Sequence, residues 1–385
     1  MTLALFASFV ALGACGTLLG PSFQSLTQRF NMPLENAGIF TSLQFSGVIV
    51  GASLFGWLMD RISARYLMLI GLALIGGALL FIGAAPSLPI ALIAVLLLGL
   101  GMGALDVAPN VVIASLYPEG AAAALNTLNL YFSLGAMIGP QLLNFALQQH
   151  NFTLAFTITG TSTLLLLIPF SLIPVNVRLT DKSSARSTLH WTAFLPFAVI
   201  MFAYVGAEIG FSSWVFTQLT KVTLSTAAVG TIAVSLFWIG LTVSRGVAGL
   251  MLRRLSNEQL IVMSAGVLGT GVLLMLILPT SEIVSLVSAF IVGFGCGPIF
   301  PTLYAIVTSH YPGARGTVSG IMTVLGSFGA ATLPWLQGQI GGGRSGGMIV
   351  VLASALLILT VAVTLQRQER YARALSESTD RSHIS

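Results

Sequence analysis

The stretch LGLGMGALDVAPNVVIASLYPEG (98–120) returns as VGFGCGPIFPTLYAIVTSHYPGA (292–314), an offset of 194 residues. Gly99, Gly101, Gly103, Tyr117 and Pro118 fall on Gly293, Gly295, Gly297, Tyr311 and Pro312. Farther on, Gly135 and Pro140 fall on Gly329 and Pro334. A second pair, GWLMDRIS (56–63) and GLMLRRLS (249–256), repeats at an offset of 193. Self-similarity at one spacing reads as a structural unit written twice. The first copy also holds Asp106, a charge deep inside an otherwise apolar run.

Outward from these stretches the chain stays apolar. Hydrophobic residues make up 56% and charged residues 7% of the 385, and mean hydropathy is +0.96. A soluble domain carries roughly a quarter charged residues, so this surface is not built for water. Apolar runs of about 20 residues, enough to cross a bilayer core, recur at about 2–27, 37–59, 66–86, 88–116, 121–148, 152–174, 192–219, 226–252, 259–279, 283–309, 316–340 and 346–366. Lipid cannot satisfy an open strand, so these runs are expected to be helices. The expected fold class is an all-α membrane protein of twelve transmembrane helices. An even number of helices separates matched positions, giving two parallel six-helix repeats. The expected division is a bundle at 1–175, a polar cytoplasmic linker at 176–191, a second bundle at 192–366 and a disordered tail at 367–385. The first run lacks a basic leader and a cleavage site, so it reads as a true helix and not a signal peptide.

The basic residues segregate when the loops are walked alternately. One side holds Arg61, Arg65, Arg178, Lys182, Arg186, Arg253, Arg254, Arg315, Arg367, Arg370, Arg373 and Arg381; the other holds Arg29, Lys221 and Arg344. The positive-inside rule puts the first group, and both termini, in the cytoplasm of an inner or plasma membrane. The net charge of +5 is thus a topology signal, and no nucleic-acid partner is expected. Cys15 and Cys296 lie inside apolar runs and read as small buried residues. No His/Cys/carboxylate cluster points to a metal, and no cofactor is expected.

The loop after the second run, Gly56-x-Leu58-x-Asp60-Arg61-x-x-x-Arg65, resembles the loop motif of the major facilitator superfamily, with Ser63 in place of the motif's second glycine. That resemblance extends over essentially the whole chain. It implies that Asp60, Arg61 and Arg65 latch the cytoplasmic side against a helix end. GLGMGALDVAPN (99–110) and ALNTLNLYFSLGAMIG (124–139) are similar to the fucose/glucose/galactose–proton symporter branch. So are AYVGAEIGFSSW (203–214), SLFWIGLTVSR (235–245) and GFGCGPIFPT (293–302). Sugar–proton members of that branch carry an acid in the first helix, where this chain has Gly16-Thr17-Leu18.

A charge at the centre of a spanning helix costs on the order of 2.5–3.5 kcal/mol on insertion scales, so Asp106, Glu208 and Arg245 mark a water-lined route. Asp106 and Glu208 are the candidate proton carriers; for each, a packing or capping role is the alternative. Glu208 also joins Asn110, Asn126, Asn129, Tyr204, Trp214, Trp238 and Tyr304 as candidate substrate ligands. Carboxylates and amides suit sugar hydroxyls, and ring faces suit sugar C–H surfaces. Polar residues in membrane helices also tie helices together, which is the competing reading for the amides. Arg245 is a candidate gating residue, able to hold a neighbouring helix end or to pair with an acid. The glycine runs at 99–103 and 293–297 are read as close helix packing and not as a dinucleotide loop.

The expectation is a secondary transporter working by alternating access, with protons and a small polar solute such as a sugar as partners, monomeric in the lipid bilayer. A proton-driven exporter of amphipathic or drug-like compounds is the alternative. An enzyme is not expected, since no His-Glu-x-x-His and no metal-ligating cluster occurs.

Overall fold

The computed structural model describes residues 2–59, 61–117, 121–172, 191–311, 315–341 and 345–382. In chain order the helices are α1 (Thr2–Leu18), α2 (Phe23–Arg29), α3 (Gly38–Met59), α4 (Ala64–Ala84), α5 (Leu88–Leu116), α6 (Ala121–Gln148), α7 (Thr153–Leu165) and α8 (Leu167–Leu172). The second half supplies α9 (Trp191–Lys221), α10 (Ala227–Met251), α11 (Asn257–Ile277), α12 (Glu282–Cys296), α13 (Ile299–His310), α14 (Arg315–Gly341) and α15 (Met348–Ser382). No strand occurs among the described residues. Among the described residues eleven spans are long and apolar enough to cross a membrane singly, and α1 with α2, bent by 59° at their break, makes a twelfth. The break has a local cause. Pro21 cannot donate to the helix and its ring crowds the carbonyl four residues back, while the Ser22 hydroxyl restitches the chain by donating to the Leu18 carbonyl at 2.7 Å.

Two expectations about the joints fare differently. The linker, expected at 176–191, lies outside the described residues up to 190. Over the stretch expected as the tail, α15 runs on to Ser382. The run QRQERYARALSES holds no Gly or Pro, and its Gln, Glu, Arg, Ala and Leu are good helix formers.

The two halves are assembled alike. α3 packs on α5, α1 on α6 and α4 on α5; their repeat mates do the same, α10 on α12, α9 on α14 and α11 on α12. The likeness reaches individual atoms. A Cβ on Gly99 would overlap the Gln44 carbonyl oxygen, and one on Gly293 would overlap that of Phe237; Gln44 and Phe237 are themselves 193 apart. Gly135 stands equally close to the Val10 carbonyl, and Gly329 to that of Phe202, positions 192 apart. Without hydrophobic attraction between helices in lipid, contact this close is what holds them, and only glycine allows it. The outward faces carry apolar side chains such as Phe81 and Ile93 in the first half and Ile277 and Leu356 in the second, open to the surroundings. Acyl chains are the solvent that suits them.

The halves meet at one end, which we call the sealed end. There Gly20 backs onto Ser213, Gly38 onto Pro334 and Trp335, and Gly338 onto Glu35. Phe23 meets Trp214 edge-on at 5.1 Å between centroids. Gln24 Nε2 donates to Thr220 Oγ1, and Gln339 Nε2 donates to Asn36 Oδ1 at 2.9 Å. Nearer the middle, Gln141 Nε2 donates to Ser235 Oγ at 2.9 Å, and that hydroxyl donates to the Met137 carbonyl at 3.0 Å. The opposite end carries Arg61, Arg65, Arg253 and Arg254.

Candidate functional site

The first-half wall is built by one stripe of α5. Gly99, Met102, Gly103, Asp106 and Asn110 recur at the three- and four-residue spacing that keeps them on one helix face. The first three are buried against α3 and α1: Gly103 fits against Val48 and Ala52, and Met102 Sδ accepts from Gln44 Nε2 at 3.1 Å. One turn on, the same stripe emerges. Asp106 is exposed and Asn110 half-buried. The Asp106 carboxylate meets no hydrogen-bond donor among the described residues. Asn110 spends its amide on the Asp106 backbone carbonyl at 2.6 Å, just past Pro109, whose missing N–H already disturbs that ladder.

The α6 wall behaves similarly. Leu130, Leu134 and Ile138 form its lipid face. Asn129 lies on the other side, three residues before Phe132, whose ring meets Trp238 of the second half at 5.7 Å. Asn129 is exposed, and its Nδ2 donates to the Leu125 carbonyl at 2.9 Å. The side chain of Asn126 is outside the described residues.

The second-half wall gathers Tyr204, Glu208, Arg245 and Cys296 from α9, α10 and α12. Glu208 is 8% exposed and Tyr204 fully buried. Arg245 acts electrostatically on the Glu208 carboxylate without closing an ion pair, and its Nε donates to the Gly297 carbonyl at 3.3 Å. The Tyr204 hydroxyl faces Glu208 but is not aligned into a regular hydrogen bond. An aromatic row continues from it, Tyr204 to Phe300 at 6.4 Å and Phe300 stacked on Tyr304 at 5.8 Å. Trp238 is buried, its indole N–H donating to Ser212 Oγ at 3.1 Å.

Not every candidate belongs to this gathering. Trp214 sits in the sealed end, where its indole N–H donates to the Pro334 carbonyl at 2.8 Å and its ring lies against Gly338. Of the loop motif, Asp60 lies outside the described residues. Arg61, in the turn after α3, stacks back over Trp57 of that helix at 3.7 Å, and Arg65 donates to the Ser171 carbonyl near the end of α8, both within the first half. Sequence reasoning missed Ser212, Phe132 and Cys296 as site neighbours, because their types are as common in plain packing. It also missed the sealing glycines Gly20, Gly38 and Gly338. The Gly20-Pro21 pair was a legible signal for a break, though not for what crosses it.

Repeat register sharpens the comparison of the two walls. Gly103 touches Ala52 as Gly297 touches Arg245, so Arg245 is the mate of Ala52 at offset 193. At offset 194 Asp106 is the mate of Phe300, and at 192, the offset of Val10 and Phe202, Glu208 is the mate of Gly16. Each ionisable residue thus belongs to one half only.

A duplicated helical body, closed at one end and carrying ionisable groups within its spanning helices, has the architecture of a multi-pass membrane transporter. The profile of the Major Facilitator Superfamily matches residues 4–334, and the chain belongs to that superfamily. It is 22% identical over 351 residues to the glucose/mannose transporter GlcP of Bacillus subtilis, covering 86% of each chain. It is 23% identical over 378 residues to the human sodium-dependent glucose transporter 1, covering 88% of this chain and 73% of that one. Among solved structures it resembles a D-xylose–proton symporter with a TM-score of 0.80 at 13% identity, covering 94% of this chain and 95% of that one. It also resembles a bacterial homologue of the lysosomal transporter Spinster in an inward-facing conformation, with a TM-score of 0.78 at 13% identity and 96% coverage of both.

Proposed function

We propose that this transporter takes up a sugar or similar small polar solute together with protons, by alternating access, across the cell's inner or plasma membrane. Both termini are cytoplasmic in this reading, which makes the sealed end the outer one and the resting shape open to the cytoplasm. The observation that carries it is Asp106: a carboxylate with no described donor, exposed on a stripe of α5 that is buried from Gly99 to Gly103. A lone acid reached by water can take and release a proton as the halves rock. Glu208 is held beside Arg245 as second acid or solute ligand, and Asn110, Asn129, Tyr304 and Trp238 offer amides and ring faces to hydroxyls. Two relatives named as glucose transporters support the substrate class. Asp60, Arg61 and Arg65 form the cytoplasmic latch, and Trp214 serves the outer gate instead of the solute.

Proteoliposomes loaded with D-glucose test both parts. Asp106→Asn is expected to abolish uphill uptake driven by an inward proton gradient while sparing glucose counterflow. Full accumulation by the variant refutes the proton assignment, and absence of saturable counterflow in the wild type refutes the sugar.

A further inference from the structure

Beside the sealed end, away from the inner walls, lies a hollow of about 410 Å³, within the roughly 300–1,000 Å³ of small-molecule sites. It is lined by Gln24, Thr27, Gln28, Asn31 and Met32 of the first half and by Lys221 of the second. The mixture is unusual for this chain: amides and a hydroxyl, one cation, and no carboxylate in the lining. Gln28, Asn31 and Lys221 are exposed, and no described group engages their polar tips. Asn31 holds φ 50°, a left-handed turn that asparagine tolerates better than most residues. That turn brings the chain back from α2 along the rim of the hollow.

Below the hollow a polar seam leads inward. Ser213, Thr217, Thr220 and Lys221 recur on one face of α9 at helical spacing. Ser213 meets Gly20, and Thr220 accepts from Gln24, so that face looks at α1 and α2. Between them Thr217 is 1% exposed, and its hydroxyl has no partner. A buried hydroxyl left unbonded costs about 1–3 kcal/mol, an odd choice for a seam whose only task is to stay shut.

We propose that this hollow is an outer-face binding site for the transported solute and that the seam between α2 and α9 is the way in beneath it. The site takes an uncharged polyhydroxylated molecule: amides supply donors and acceptors in pairs, as vicinal hydroxyls do, and Lys221 adds a donor for a sugar oxygen. Once the gate parts, Gln24 and Thr220 are released from each other to the entering hydroxyls, and the already unbonded Thr217 is reached next. The proposal rests on the sugar reading above.

The test uses Gln28→Cys in right-side-out vesicles, since the native Cys15 and Cys296 are buried. Labelling by a membrane-impermeant maleimide is timed with and without external D-glucose. At ten times the dissociation constant, occupancy slows labelling by about tenfold. Asn31→Gly, which keeps the left-handed backbone and deletes the amide, combined with Lys221→Met, is expected to abolish that protection. Glucose counterflow is measured on the same vesicles. Counterflow without protection overturns the site alone. Protection that survives intact in the Asn31→Gly/Lys221→Met background also overturns it, because the slowing then comes from closure elsewhere. Absence of counterflow overturns the sugar reading and the site together.

Discussion

A methyl group at Gly38 isolates the sealed conformer from the fold itself. A Cβ there would lie 2.5 Å from Trp335 Cα and 2.6 Å from the Pro334 carbonyl oxygen, across the boundary between halves. Ordinary contact begins near 3.4 Å, so the sealed end must part by about 0.9 Å, the difference between 3.4 and 2.5. Overpacking of that kind costs about 1–3 kcal/mol. Because α3 and α14 meet there only while that end is shut, the cost falls on one conformer, and the equilibrium moves towards the outward-open form by about 5–150-fold. Gly101 is the control. Its Cβ would lie 2.8 Å from the Gly71 carbonyl and 2.9 Å from Ile75 Cγ1, a similar clash between α5 and α4 inside one half. That clash is present in both conformers, so Gly101→Ala lowers the melting temperature and leaves the equilibrium alone. The assay is the rate at which Thr217→Cys reacts with an impermeant maleimide from outside. Gly38→Ala is expected to raise that rate severalfold and Gly101→Ala to leave it unchanged. Equal rates in the two, with equal losses of melting temperature, would falsify the idea that the Gly38 contact belongs to one conformer.

Three further outcomes follow from named contacts. Trp214→Phe removes the bond to the Pro334 carbonyl, worth about 0.5–1.5 kcal/mol, and raises outside labelling of Thr217→Cys by about 2–10-fold. Glu208→Gln and Arg245→Met each lower thermal stability, and the double variant loses less than the sum, with a coupling of about 0.5–3 kcal/mol; strict additivity in the cycle refutes their interaction. Arg65→Met loses the bond to the Ser171 carbonyl and, with a half-exposed side chain, costs about 1 kcal/mol, read as an earlier melt. An unchanged melt rules that bond out as a tie.

The membrane fold was legible because lipid leaves so few options. Apolar runs fix the spans, and the glycines shared at offset 194 fix the duplication before any contact is seen. The same glycines were read as packing, and Gly99 and Gly293 sit on backbone carbonyls at equivalent places. Burial of an acid in apolar sequence pointed to Asp106 and Glu208, because a charge there needs a reason. What stayed hidden was direction. Trp214 and Trp238 look alike in sequence, yet one plugs the sealed end and the other spans the middle, and only the depth of each along its helix separates them. The hydroxyls of Ser212 and Thr217 were equally silent, since serine and threonine serve membrane helices everywhere.

The unequal charge of the two walls bears on voltage. With all three groups ionised, the second half carries an acid and a base that cancel, and the first half carries Asp106 unbalanced. Moving one elementary charge across a full membrane potential is worth about 2.3 kcal/mol per 100 mV, and a rocking helix traverses some fraction of that field. The electric force therefore grips one rigid body and slides past the other. If Asp106 carries the transported proton as proposed, its arrival removes the grip, and chemical and electrical driving forces enter the cycle through a single carboxyl group.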